Sequence, residues 1–168
     1  VVAHGTDPRA YTASSVTLIL PGRDRPVVLT GSQLPLTDML ADGPGNLRTA
    51  FAMAASGRPG VFLAFDRKVM LGCRAVKVRA SGFSAFERIN ARYVSLVTNR
   101  GLTVDETALP PRRRPARLCT DISENLLLLK LTPGLYPDPF HLLVEPGYPG
   151  LHLQAFRLPR RNLLPPRL

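Results

Sequence analysis

Short apolar runs alternate with helix-like stretches along the first part of the chain. Val1-Val2-Ala3 stops at His4-Gly5-Thr6-Asp7, and from Ala10 to Leu20 the residues Tyr11, Val16, Leu18 and Ile19 recur at helical spacing until Pro21-Gly22 ends the segment. Pro26 to Thr30 is almost wholly apolar, as a strand covered on both faces would be, and runs into a second polar loop, Gly31-Ser32-Gln33. Residues 33–45 read as a long loop rich in Pro, Asp and Gly. Asn46 then reads as the cap of a helix from Leu47 to Ala55, whose apolar stripe is Leu47, Ala50, Phe51 and Ala54. Beyond Gly57-Arg58-Pro59-Gly60, Val61 to Phe65 is another buried-type strand, and Asp66-Arg67 reads as a turn into Lys68 to Leu71, a hairpin in place of a further crossover.

After Phe86 the pattern loosens. Tyr93 to Thr98 reads as a strand, and the Pro/Arg segment 109–118 as a linker between domains. A second unit follows: strand Leu126 to Leu131, loop Thr132-Pro133-Gly134, helix Pro137 to Glu145, strand Gly150 to Phe156. The tail Arg157 to Leu168 is too rich in Pro and Arg to pack as a helix or an inner strand. The fold class predicted is α/β: a mostly parallel sheet with flanking helices over 1–108, then the first β-α-β unit of a smaller α/β domain over 119–168, its tail departing at about 157.

A hydrophobic content of 45% suits a globular, core-forming chain. No apolar run approaches the roughly 18–20 residues a membrane helix needs. No basic-then-apolar leader precedes Val1, and because the chain opens inside a strand it reads as cut. Cys73 and Cys119 make neither a disulfide framework nor a zinc-site spacing, which points to reduced thiols and a cytoplasmic protein. The net charge of +10 invites a nucleic-acid partner. Much of the excess, however, lies in Arg112-Arg113-Arg114, Arg117, Arg157, Arg160, Arg161 and Arg167, among prolines and with few aromatics for stacking, so it reads as solvated linker charge. A basic RNA-binding module is the non-enzymatic alternative.

Loops at the carboxyl ends of neighbouring strands share a cleft in an α/β sheet, which brings His4-Gly5-Thr6-Asp7 and Gly31-Ser32-Gln33 together. Thr6 is a candidate nucleophile, and a threonine hydroxyl needs a base. The base available is Lys77, in the extended piece Arg74 to Val78, with Asp7 to orient it; burial in a cleft lowers a lysine pKa toward the range where it accepts protons. The plain structural alternative is a helix-cap pair for Thr6 and Asp7 and a solvated strand lysine for Lys77. His4 reads as a ring satisfying loop backbone. His141 and His152 carry no ligand role, and no metal mechanism is indicated.

His4-Gly5-Thr6-Asp7 followed by Ala10-Tyr11-Thr12-Ala13-Ser14 resembles the second signature of the L-asparaginase family, above all its type I, cytosolic members. The likeness continues through Pro26 to Leu36, Ala41-Asp42-Gly43, Asn46-Leu47, Gly72 to Lys77, Ser81-Gly82-Phe83 and Lys130-Leu131-Thr132-Pro133-Gly134. The resemblance implies hydrolysis of the side-chain amide of L-asparagine, often also of L-glutamine, to the acid and ammonia without a cofactor. It implies a Thr6–Asp7–Lys77 triad, substrate contacts from Gly5, Thr6, Asp7 and Ser32, and a homo-oligomer whose sites lie between subunits.

The likeness has gaps. The family's Thr-Gly-Gly-Thr loop and its Asp-Ser pair lie upstream of anything here, Pro8-Arg9 replaces the usual Thr and apolar residue, and Arg157 to Leu168 has no family counterpart. The expectation is a piece truncated at both ends and inactive alone. Within the same fold, the alternative is the asparaginase-like subunit of a tRNA-dependent amidotransferase, against which Ser32-Gln33-Leu34-Pro35-Leu36 favours the simple amidohydrolase.

Overall fold

The computed structural model describes residues 1–110, 115–123, 125–136 and 150–154. The chain divides into two compact units, Val1–Thr120 and Asp121–Leu168. In the first unit, β1 (Val2–Ala3), α1 (Arg9–Ile19), β2 (Pro26–Thr30), α2 (Gly43–Ala55), β3 (Gly60–Phe65), β4 (Lys68–Leu71), β5 (Ala75–Lys77), β6 (Phe86–Arg88), β7 (Ser95–Thr98) and β8 (Gly101–Val104) follow in order. Six strands form one sheet in the order β1-β2-β3-β4-β7-β8. β1, β2 and β3 run parallel, and the sheet continues antiparallel through β4, β7 and β8. The α/β class with flanking helices is thus the one the alternation predicts.

β3 explains why an unbroken apolar run makes a central strand. Phe62 and Ala64 join Val28, Val69 and the α2 residues Ala50 and Met53 on one face. Val61 meets Ala13 of α1 and Leu29 on the other, with Leu63 and Phe65 alongside Met70. A strand with a helix on each face buries both sets of side chains and shows no polar alternation. The hairpin at Asp66-Arg67 is present, and both residues take left-handed φ, 49° and 60°. That is the two-residue turn whose twist matches the strands it joins, and glycine is its preferred occupant. Arg67→Gly is therefore expected to raise stability by roughly 0.5–1 kcal/mol, read as a higher urea midpoint with unchanged slope.

Three features differ from the sequence reading. α2 begins at Gly43, ahead of Asn46: Pro44 fits the first turn, where its missing N–H has no partner to lose. Asn46 is inside the helix and 3% exposed, not its cap. The buried face is Asn46, Thr49, Ala50 and Met53, while Phe51 points to solvent. β6 and β8 have no counterpart in the sequence pattern. Of the residues of β6 only Phe86 is apolar, and β8 is a short edge strand of alternating exposure.

The last residues of the first unit hydrogen-bond to the end of α1 and the turn after it. The Arg117 and Cys119 N–H groups donate to the Pro21 and Ile19 carbonyls at 3.2 and 2.8 Å. In the second unit β9 (Leu126–Lys130) pairs parallel with β10 (Gly150–Gln154), Leu126 opposite Gly150 through Lys130 opposite Gln154. The helix predicted over 137–145, His141 and the tail 157–168 lie outside the described residues.

Candidate active site

The His4 N–H donates to the Thr30 carbonyl at 2.9 Å, carrying the β1–β2 pairing one residue past the strand. The chain then turns through Thr6, Asp7 and Pro8 into α1. No side chain caps that helix, so the Thr6 hydroxyl and the Asp7 carboxylate are not consumed as caps. Lys77 closes β5, directly opposite Phe86 of β6. Its Nζ donates to Thr6 Oγ1 at 3.0 Å and to Asp7 Oδ1 at 2.5 Å. The lysine side chain is 17% exposed and the aspartate 88%, so a sheltered amine reaches out to a carboxylate that solvent or a ligand can also touch.

The hydrogen bond from Lys77, and next its charge, hold the Asp7 carboxyl below its ordinary value of 3.8. Since the folded value is depressed, the pair stabilises the fold above pH 3.8 and that contribution is lost as the pH falls through the lowered value. A carbon-13 carboxyl titration is expected to show Asp7 protonating later, on acidification, than an ordinary exposed aspartate. Lys77→Met should return it to the ordinary value.

The second loop is fixed by one carboxylate. Asp42 accepts from the Gln33 N–H (2.9 and 3.1 Å), the Leu34 N–H (3.2 Å) and Asn46 Nδ2 (2.8 Å). Asn46 also donates to the Gly31 carbonyl at 2.9 Å and accepts from the Asp66 N–H at 2.9 Å. Gln33 Nε2 then donates to the carbonyls of Ala80 (3.2 Å) and Gly82 (3.1 Å), tying this loop to the one that follows Lys77. At Gly31 a Cβ would fall 2.1 Å from Arg9 Nη2 and 2.5 Å from the His4 carbonyl oxygen, so only glycine lets the two strand-end loops approach this closely.

The structure therefore joins Thr6, Asp7 and Lys77 directly. Gly5 and Ser32 lie in the surrounding loops and, among the described residues, hydrogen-bond to none of the three. His4 serves loop backbone as read, its Nδ1 donating to the Gly5 carbonyl at 3.0 Å. Both cysteines are free. Arg9, Asp42, Asn46 and Gln33 support the site, and nothing in the sequence singles them out for it. Their types signal caps, loops and solvated charge, and only the crossing of the loops gives them other partners. A hydroxyl held by an amine, with a carboxylate on the same amine, is equipped for acyl transfer.

Comparison with known proteins points to one family. The model of a family described as Asparaginase, N-terminal, matches residues 1–110. The L-asparaginase of Thermococcus kodakarensis is 39% identical over 138 residues, 82% of this chain and 42% of that protein. Its solved structure superposes with a TM-score of 0.81 at 36% identity, covering 90% of this chain and 45% of the other. L-asparaginase I from Vibrio cholerae gives a TM-score of 0.80 at 27% identity, over 95% and 50% of the two chains. A glutamyl-tRNA(Gln) amidotransferase subunit of Methanopyrus kandleri is 30% identical over 169 residues, 92% of this chain and 37% of that protein. The chain thus spans half or less of the length of each of these relatives.

Proposed function

Because this chain belongs to the asparaginase family, we propose that the whole protein hydrolyses the side-chain amide of L-asparagine, with L-glutamine as a second substrate, releasing ammonia and the free acid. The observation that carries the reading is the Lys77 amine within 3.0 Å of the Thr6 hydroxyl and 2.5 Å of the Asp7 carboxylate. In this mechanism Lys77, as the free amine, takes the proton of Thr6, whose oxygen attacks the amide carbon or activates a water that does. Asp7 orients the lysine and, being open to solvent, also holds the substrate's amino group. Backbone N–H groups around Gly5 and Thr6 take the developing oxyanion, and Ser32 contacts the amide through its backbone. Returning the proton to the leaving nitrogen frees ammonia. Where Thr6 has taken the acyl group, a water deprotonated by Lys77 then cleaves the ester, releasing the acid and restoring the hydroxyl, and no cofactor enters the scheme.

On the same reading, residues 1–108 form the remainder of an N-terminal catalytic domain, 109–118 a linker and 119–168 the start of a C-terminal domain. The active species is a cytoplasmic homo-oligomer with neither nucleic acid nor membrane as partner. Among the described residues no helix is long and apolar enough to cross a membrane. This chain spans 42% of the Thermococcus enzyme, so turnover is assigned to the whole protein and is not expected of the 168 residues alone.

The likeness to an amidotransferase component supports a second reading, in which ammonia is passed to a tRNA-bound acceptor. An ammonia assay on the whole protein with free L-asparagine and no tRNA separates the two. Steady release that Thr6→Ala abolishes supports the amidohydrolase; release that appears only with aminoacyl-tRNA and a partner protein replaces it with the second reading.

A further inference from the structure

Arg9 is the most heavily buried charged side chain among the described residues, with 0% of its surface exposed. Its guanidinium carbon lies 5.0 Å from the Phe65 ring centre and 5.3 Å from that of Phe86, and the two rings pack edge to face, 5.1 Å apart. Nε donates to the His4 carbonyl at 3.2 Å and Nη2 donates to the same oxygen. Among the described residues Nη1 has no hydrogen-bond partner, and no carboxylate lies within ion-pair distance of the group. Burial pushes the guanidinium down to about 10, the charge of Asp42 opposing the shift. A buried cation so poorly paired costs stability that an apolar residue of the same length would not.

The group touches two parts of the candidate site. On one side it grips the carbonyl immediately before Gly5-Thr6-Asp7. On the other it lies over the ring of Phe86, the residue directly across the β5–β6 ribbon from Lys77. Two elements about seventy positions apart in sequence meet the same planar group. We propose that Arg9 is a positioning residue whose buried guanidinium is the joint holding the Thr6–Asp7 loop against the ribbon that carries Lys77. The catalytic meaning of that joint rests on the asparaginase reading, but the joint itself is a matter of geometry.

The test reads the Asp7 carboxyl of this chain by carbon-13 NMR titration in the wild type, Arg9→Met and Arg9→Lys. Loosening the joint parts Asp7 from Lys77, so in Arg9→Met the carboxyl is expected to climb back to its ordinary 3.8, even though thermal stability holds or rises. Arg9→Lys, which keeps a charge but cannot fork onto the carbonyl or present a planar group to the rings, should fall between. A folded Arg9→Met whose Asp7 titrates as in the wild type overturns the proposal. Should the methionine variant not fold, a wild-type Asp7 titration in Arg9→Lys overturns it equally. If the whole wild-type protein releases no ammonia, the functional reading falls, while the Asp7 titrations still decide the role of Arg9.

Discussion

Lys77→Met is expected to lower ammonia release by the whole protein about 10²–10⁴-fold while leaving its fold intact. Methionine keeps the length and apolar stem of lysine and removes only the amine. Among the described residues, that amine is the one group hydrogen-bonded to both Thr6 Oγ1 and Asp7 Oδ1. On the proposed mechanism its loss takes away the proton acceptor of the threonine hydroxyl, and the aspartate loses its lysine contact. Little stability is at stake, because Asp7 is largely exposed and an exposed ion pair contributes little. Unfolding and turnover must therefore be measured on the same sample. A variant that keeps its midpoint and loses turnover has lost chemistry, whereas one that loses both has lost its fold.

Asn46→Ala is expected to show the converse, a loss of roughly 2–4 kcal/mol in denaturant unfolding. The side chain is buried in α2 and bonded to the Gly31 carbonyl, the Asp42 carboxylate and the Asp66 N–H. Truncation leaves the part-buried carbonyl and N–H without these partners and deprives Asp42 of one of the donors that fix it. Asp42 holds the N–H groups of Gln33 and Leu34, so the second loop should loosen with it. Backbone amide exchange is expected to accelerate more at Gln33 and Leu34 than in the central strands. Equal acceleration across β2 and β3 would mean that Asn46 supports the core and not the loop.

What the sequence conveys and what it withholds divide along one line. The central strands are legible because burial on both faces leaves an unmistakable apolar run, as in Val61 to Phe65. The hairpin is legible because two polar residues between two such runs leave room for little else. Asn46 misleads because a helix-starting asparagine and a buried, fully bonded one look alike until the partners at Gly31 and Asp66 are in place. Arg9 offers even less, since nothing local says that an arginine in the first turn of a helix will be buried against two phenyl rings. The β5–β6 ribbon escapes because Phe86, Glu87 and Arg88 alternate too briefly to be distinguished from loop. Long-range partners are what one-dimensional patterns omit, and the supports of this site are almost all long-range. Thr6, Asp7 and Lys77 are nameable as candidates from their residue types, the family resemblance groups them as a triad, and their meeting is visible only in the structure.

The central claim is that the hydroxyl and the amine work as one unit on an amide. A double-mutant cycle of ammonia release in the whole protein, with Thr6→Ala, Lys77→Met and both together, tests it most directly. The account predicts that the double variant is no slower than the slower single one, because either loss already disables the unit. Losses that multiply, or a single variant turning over at near the wild-type rate, would contradict it.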